Sequence, residues 1–308
     1  MDNILDKEAI QNAINLANMN SDKLNKCVKM VDGLNSCLIN NKSDEFCLIL
    51  KENSDVFQAD LDCDYANALY FIEFKYIYDE KQTQLDLDDF LHGIKVLNAI
   101  VEINKTIDAC CNRLNITMEN YFNKEGELDE SDSIKLISKL RNQNAHIQEI
   151  NNDFLKTRYL KSLIQAKLFK SNNILSETKT TSSSLSDSGH DDSEMFQCCL
   201  LTHGEIQECV AQTNVDFEHE CLAVVLINDS LTKDNALHTM YLLKNSLPRD
   251  DSLIINDLNA HVYHNEMKKL KLVKESVNID DIKSAIRNSN LILENALNSI
   301  LKYFYYKL

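Results

Sequence analysis

The sequence predicts an all-α protein built as a long antiparallel, coiled-coil-like helical hairpin within an N-terminal block (1–170), a flexible Ser/Thr-rich linker (171–195) and a C-terminal helical bundle (196–308). Five glycines and one proline in 308 residues leave few of the residues that make turns, bulges and phosphate loops. Apolar residues recur at three- and four-residue spacing along most of the chain, the period of an amphipathic helix. Between 171 and 195 that period stops and serine, threonine and acidic residues take over, a composition that buries too little apolar surface to offset ordering.

Asp2 can cap a first helix whose apolar face runs Leu5, Ile10, Ile14 and Ala17, and Leu24, Cys27, Val28, Val31, Leu34 and Leu38 repeat the spacing through Gly33. The stretch 64–78 carries Leu69, Ile72 and Tyr76 on one stripe, with Tyr70, Phe71, Phe74, Ile77 and Tyr78 on other sides. A helix so apolar all round is buried or faces a partner. The strongest periodicity predicts the hairpin. Leu87, Phe90, Ile94, Leu97 and Val101, then Ile103, Ile107, Cys110, Leu114, Met118 and Tyr121, mark an arm over about 84–122. An acidic turn with Gly126 follows, and Ile137, Leu140, Ile147, Ile150, Phe154 and Leu163 or Ile164 mark a returning arm over about 131–169, with Asn144 and Asn151 a heptad apart on its seam. At 1.5 Å per residue each arm is roughly 50–60 Å long. In the C-terminal block Pro248 separates helical segments, and Ile282, Ile286, Leu293, Leu297, Ile300 and Phe304 mark a terminal helix capped by Asp280 or Asp281. The run Cys221 to Ile227 also fits a buried strand, but no partner strand is evident.

With 32 Lys and Arg against 48 Asp and Glu the formal net charge is −16, which repels phosphate backbones and anionic lipid and disfavours direct nucleic-acid binding. Lys268, Lys269, Lys271 and Lys274 read as a solvated helix face. The N-terminus lacks a basic n-region and no apolar run is long enough to span a bilayer, so the expectation is a cytoplasmic or nuclear protein without a membrane span, its ten cysteines free thiols.

Adjacent carboxylates at Asp86, Asp88 and Asp89, and at Asp129, Glu130 and Asp132, sit at candidate helix starts, where negative charge offsets the helix dipole. Cys198, Cys199, His203, Cys209, His219 and Cys221 are soft ligands, but without paired Cys-x-x-Cys knuckles they read as small buried hydrophobes. His261 and His264 lack a third convergent ligand and read as a solvated face. The expectation is therefore no catalytic, cofactor-binding or metal-binding residue. Two short strings resemble known motifs. Cys199-Leu200-Leu201-Thr202-His203-Gly204-Glu205 resembles the segment that carries the catalytic histidine of caspases, but no cysteine follows Cys221 to serve as that family's nucleophile, and His203 reads as a polar residue at a helix start. Asp187-Ser188-Gly189-His190-Asp191-Asp192-Ser193 resembles the phosphodegron read by β-TrCP-type ubiquitin ligases, which implies phosphorylation at Ser188 and Ser193 and a phospho-dependent ligase contact.

The functional expectation is a non-enzymatic structural or adaptor subunit of a multi-protein complex, binding partners through helical or coiled-coil packing. Tyr70, Phe71, Phe74 and Tyr78, with Tyr303, Phe304 and Tyr306 at the end of the chain, are the candidate partner-binding residues. Alternatives are a regulator that holds one partner helix in a groove of the C-terminal bundle and, third, a helical-bundle metalloenzyme.

Overall fold

A computed structural model describes residues 7–61, 64–118, 120–124, 127–150, 153–181, 199–247 and 253–305, and among them it is all-α. Its principal helices are α1 (Lys7–Ile39), α2 (Ser43–Glu52), α3 (Asp64–Lys81), α4 (Leu87–Leu114), α5 (Glu130–Leu140), α6 (Lys156–Thr181), α7 (His203–Thr232), α8 (Ala236–Asn245), α9 (Ala260–Lys274) and α10 (Ile279–Tyr305). The run Cys221 to Ile227 is helical, part of α7. The chain divides into two compact units, Met1–Ala211 and Gln212–Leu308, so α7 begins in the first and ends in the second.

In the first unit α1, α2 and α3 pack on one another and α3 packs on α4. Their buried faces join Leu34 and Leu38 of α1, Phe46 and Leu50 of α2, Tyr70 and Phe74 of α3, and Phe90 and Ile94 of α4. Phe46, Phe74 and Phe90 form a ring cluster with centroids 5.1–6.4 Å apart. Gly93 makes that cluster possible: a Cβ there would stand 2.6 Å from Phe74 Cε1. Gly93→Ala gains roughly 1 kcal/mol of helix propensity but overpacks a fully buried ring at a cost of about 1–3 kcal/mol, so the first unit is expected to lose stability. Urea unfolding should show a lower midpoint, and Phe74→Leu in the Gly93→Ala background should recover part of it.

Helices α4 and α5 run antiparallel, tied by Lys139 to Glu102 at 3.0 Å and by Arg113 to Asp132, and α6 packs on both. The expected single arm over 131–169 is two helices, because the chain leaves the α-helical path after Leu140. The Asn142 side chain accepts the Asn144 N–H to start a 3-10 turn, and His146 and Glu149 take positive φ, 52° and 65°. Short side-chain bonds of this kind compete with the helix ladder, and Asn144 serves there and not in a coiled-coil seam. Asn151 lies outside the described residues. Helix α6 continues to Thr181, into the segment expected as linker, of which 182–195 lie outside the described residues. In the second unit Ile227 and Leu231 of α7, Met240 and Leu243 of α8, Tyr263 and Met267 of α9, and Ile282 and Ile286 of α10 form one core.

One local device recurs at the start of three long helices. An asparagine one residue after a buried Leu or Ile of an earlier helix reaches across to a residue just before the next helix and makes both of its backbone hydrogen bonds. Asn35 donates to the Leu85 carbonyl at 2.8 Å and accepts the Leu85 N–H at 2.9 Å. Asn104 does the same to Leu201 at 3.0 and 2.7 Å, and Asn228 to Val277 at 2.7 and 2.9 Å. Each asparagine also donates to the carbonyl four residues back in its own helix, Val31, Ile100 or Val224.

The residue after each clamped one caps the next helix with a reciprocal capping box. Asp86 and Asp89 close it for α4, Thr202 and Glu205 for α7, and Asn278 and Asp281 for α10. A lysine from the helix before completes each box, Lys81 on Asp89, Lys170 on Glu205 and Lys274 on Asp281. His203, in the string that resembles a caspase histidine segment, is thus the first residue of a capped helix, and its backbone N–H donates to Glu73.

These boxes make stability depend on pH. Burial opposes ionisation of Asp89 and Glu205, but the bonds from Lys81 or Lys170 and from the cap backbone outweigh it; at Asp281 the Lys274 bond dominates. All three carboxyls are held below their ordinary values. A carboxyl depressed in the folded state contributes stability above its unfolded pKa, and that stability is lost as pH falls through the folded value. Unfolding free energy is expected to hold from pH 7 to about 5 and to fall as pH drops below about 4, the ordinary carboxyl range. Denaturant titrations at pH 7, 5 and 3 check this; unchanged stability at pH 3 would contradict it.

Candidate partner-binding surfaces

Of the aromatic residues predicted to meet a partner, Tyr70 and Phe74 are fully buried and serve the chain's own core. The correction has a plain cause: α3 is packed by α1, α2 and α4, so most sides of an all-round apolar helix are already covered. Tyr70 is also fixed through its hydroxyl, which donates to Asn98 Oδ1 and accepts the Asp60 N–H at 3.2 Å, while Asn98 donates to the Gln58 carbonyl at 2.9 Å. Tyr263, Asn290 and the loop at Ile254 and Asn256 repeat this arrangement in the second unit, with Tyr263 donating to Asn290 Oδ1 at 2.6 Å. Phe71 is half-buried against Phe46, and Tyr78 is half-buried beneath Lys75, whose Nζ lies 5.4 Å from the ring centroid. Ser188, Ser193 and Tyr306, and the side chains of Tyr303 and Phe304, lie outside the described residues.

Exposed apolar side chains concentrate elsewhere. On the second half of α10 Leu291, Ile292, Leu297, Ile300 and Leu301 are about half exposed. On α7 within the second unit Val215, Leu222 and Val225 point outward, beside a groove of about 330 Å³ lined by Asp216, His219, Leu222, Leu226 and, after α8, Leu247. Another face of α7, through Ile227 and Leu231, is buried. This helix is therefore apolar on two sides. Its charge is one-sided as well: Glu205, Glu208, Asp216, Glu218, Glu220 and Asp229 are its carboxylates, and it contains neither Lys nor Arg. The sequence signal was the unbroken apolar run Cys221 to Ile227, too continuous for a helix with one buried stripe.

Neither a protein-family model, a curated protein nor a solved structure matches this chain.

Among the described residues no three or more His, Cys, Asp or Glu side chains gather in an ion-binding group. Cys199 is buried, Cys209 half-buried and Cys221 exposed. Burial pushes the Cys47 thiol up to about 11 and the Cys110 thiol up to about 12, so both stay protonated and unreactive at neutral pH. His264 was expected on a solvated face with His261, but it is only 2% exposed. Its Nδ1 meets Thr239 Oγ1 at 2.8 Å and its Nε2 meets Asp234 Oδ1 at 3.0 Å, and Lys268 also binds that carboxylate. Carboxylate, imidazole and hydroxyl in a row match the order of a hydrolase relay. The Thr239 hydroxyl, however, is wholly buried and bonded to Ser230 and the Asn235 carbonyl, so no substrate reaches it. This network anchors α9 to α8 and to the turn at Asp234.

Proposed function

We propose that this chain is a non-enzymatic structural or adaptor subunit of a multi-protein complex and binds its partners through helical surfaces, without direct contact to nucleic acid. The observation that carries this reading is the cluster of apolar side chains around the second half of α10, where Leu291, Ile292, Leu297, Ile300 and Leu301 stand about half exposed. Apolar patches of this kind mark protein-interaction sites more often than isolated exposed side chains do. A protein of this kind works in the cytoplasm or the nucleus, with phosphorylation at Ser188 and Ser193 regulating turnover through a ubiquitin ligase. The test is native mass spectrometry of the tagged chain purified from its own cells. Stoichiometric partners that are lost from a Leu297→Ser/Ile300→Ser variant support the reading. A monomer with no stoichiometric partner overturns it, and unchanged turnover of a Ser188→Ala/Ser193→Ala variant removes the regulatory part.

The groove beside α7 favours a second reading, a regulator that holds one partner helix on the C-terminal bundle. Exposed apolar side chains at helical spacing beside a groove with polar groups in its lining are what helix-in-groove recognition uses.

A further inference from the structure

We propose that the groove on the outer face of α7 in the second unit takes a cationic amphipathic helix from another protein, an assignment that rests on the helix-in-groove reading above. Val215, Leu222 and Leu226 lie seven and four residues apart, on one stripe of the helix, with Val225 beside them. That stripe presents a ridge at the spacing a partner helix meshes with. The unit's core does not use that stripe, because α7 contributes Ile227 and Leu231 to it from another side. Leu222 and Val225 remain 57% and 64% exposed.

Charge selects the occupant. The exposed carboxylates of Asp216 and Glu218 flank the stripe, and α7 offers no cation to balance them. Across such an interface positive groups on the partner gain complementarity, and negative ones are repelled. A second copy of this chain is the poorer occupant: a twofold pairing of this face sets carboxylates against carboxylates on a chain of net charge −16.

The experiment is isothermal titration of the full chain with two synthetic helical peptides of the same length and apolar face, one Leu/Lys and one Leu/Glu, at physiological salt. The Leu/Lys peptide is expected to bind saturably at one site per chain and the Leu/Glu peptide not to bind. Leu222→Ser/Leu226→Ser should weaken binding by about tenfold or more, as loss of a central anchor does. Asp216→Asn/Glu218→Gln should weaken it less and flatten its salt dependence. Leu272→Ser/Val273→Ser, exposed residues of α9, should leave it unchanged. Circular dichroism confirms that each variant folds. Equal Leu/Lys binding by wild type and Leu222→Ser/Leu226→Ser overturns the assignment, because net charge alone then explains the binding. So does equal binding of the Leu/Glu peptide, and so does sedimentation showing a dimer that Leu222→Ser/Leu226→Ser dissociates. If these tests fail while stoichiometric partners still co-purify, only the groove assignment falls and the adaptor reading stands.

Discussion

Asp108→Ala is expected to destabilise the first unit by about 3–5 kcal/mol, the range for removing one member of a buried ion pair. Its partner Lys167 has a side chain with no exposed surface, and Asp108 itself is 16% exposed. Burial pushes the Asp108 carboxyl above its ordinary range, against the pull of the Lys167 ammonium, so the pair gains little over its two separated and hydrated members. Losing the carboxylate nevertheless removes an ion-pair partner of an ammonium held in the core. Lys167→Met should therefore cost less than Asp108→Ala, and the double variant should recover most of the loss. Urea unfolding of the three variants gives the coupling directly; a double variant as unstable as the sum of the singles would show that the pair does not act as a unit.

Asn104→Ala is expected to cost about 2–4 kcal/mol, because it orphans both the N–H and the C=O of Leu201, each worth about 1–3 kcal/mol when buried unsatisfied. Asn104 is fully buried and Leu201 is 1% exposed, so water is a poor substitute. Hydrogen exchange reports the site itself: the Leu201 amide should lose protection, while the Leu85 amide, held by Asn35, keeps it. Asn104→Asp keeps an acceptor for the Leu201 N–H but loses the donor and buries a charge, so it should not rescue.

The fold class was legible because scarce Gly and Pro and a persistent 3.6-residue period both speak of local backbone preference. Helix starts were legible for the same reason. Asp86 and Asp129 cap α4 and α5 as their acidic clusters imply, and at α10 the expected Asp281 closes the box from the third helical position while Asn278 is the cap. The returning arm broke where Asn142 and Asn144 bond to their own backbone, which periodicity does not register. Tyr70 and Phe74 show the limit for the candidate site. An apolar stripe says that something covers it, and only the packing of α1, α2 and α4 says that the cover is the chain itself. Nothing in the spacing pointed to Asn35, Asn104 and Asn228, since their partners lie 50, 97 and 49 residues away. The α7 groove was foreshadowed only by an apolar run longer than one buried face requires.

The same pair of backbone bonds closes spans of 50, 97 and 49 residues, so the clamp fixes where a helix begins without regard to how much chain precedes it. Doubling a flexible closed span costs only about 0.6 kcal/mol, well below what the two bonds and the capping box return. Sequence inserted or deleted between Thr181 and Cys199 should therefore leave the register of α7 untouched.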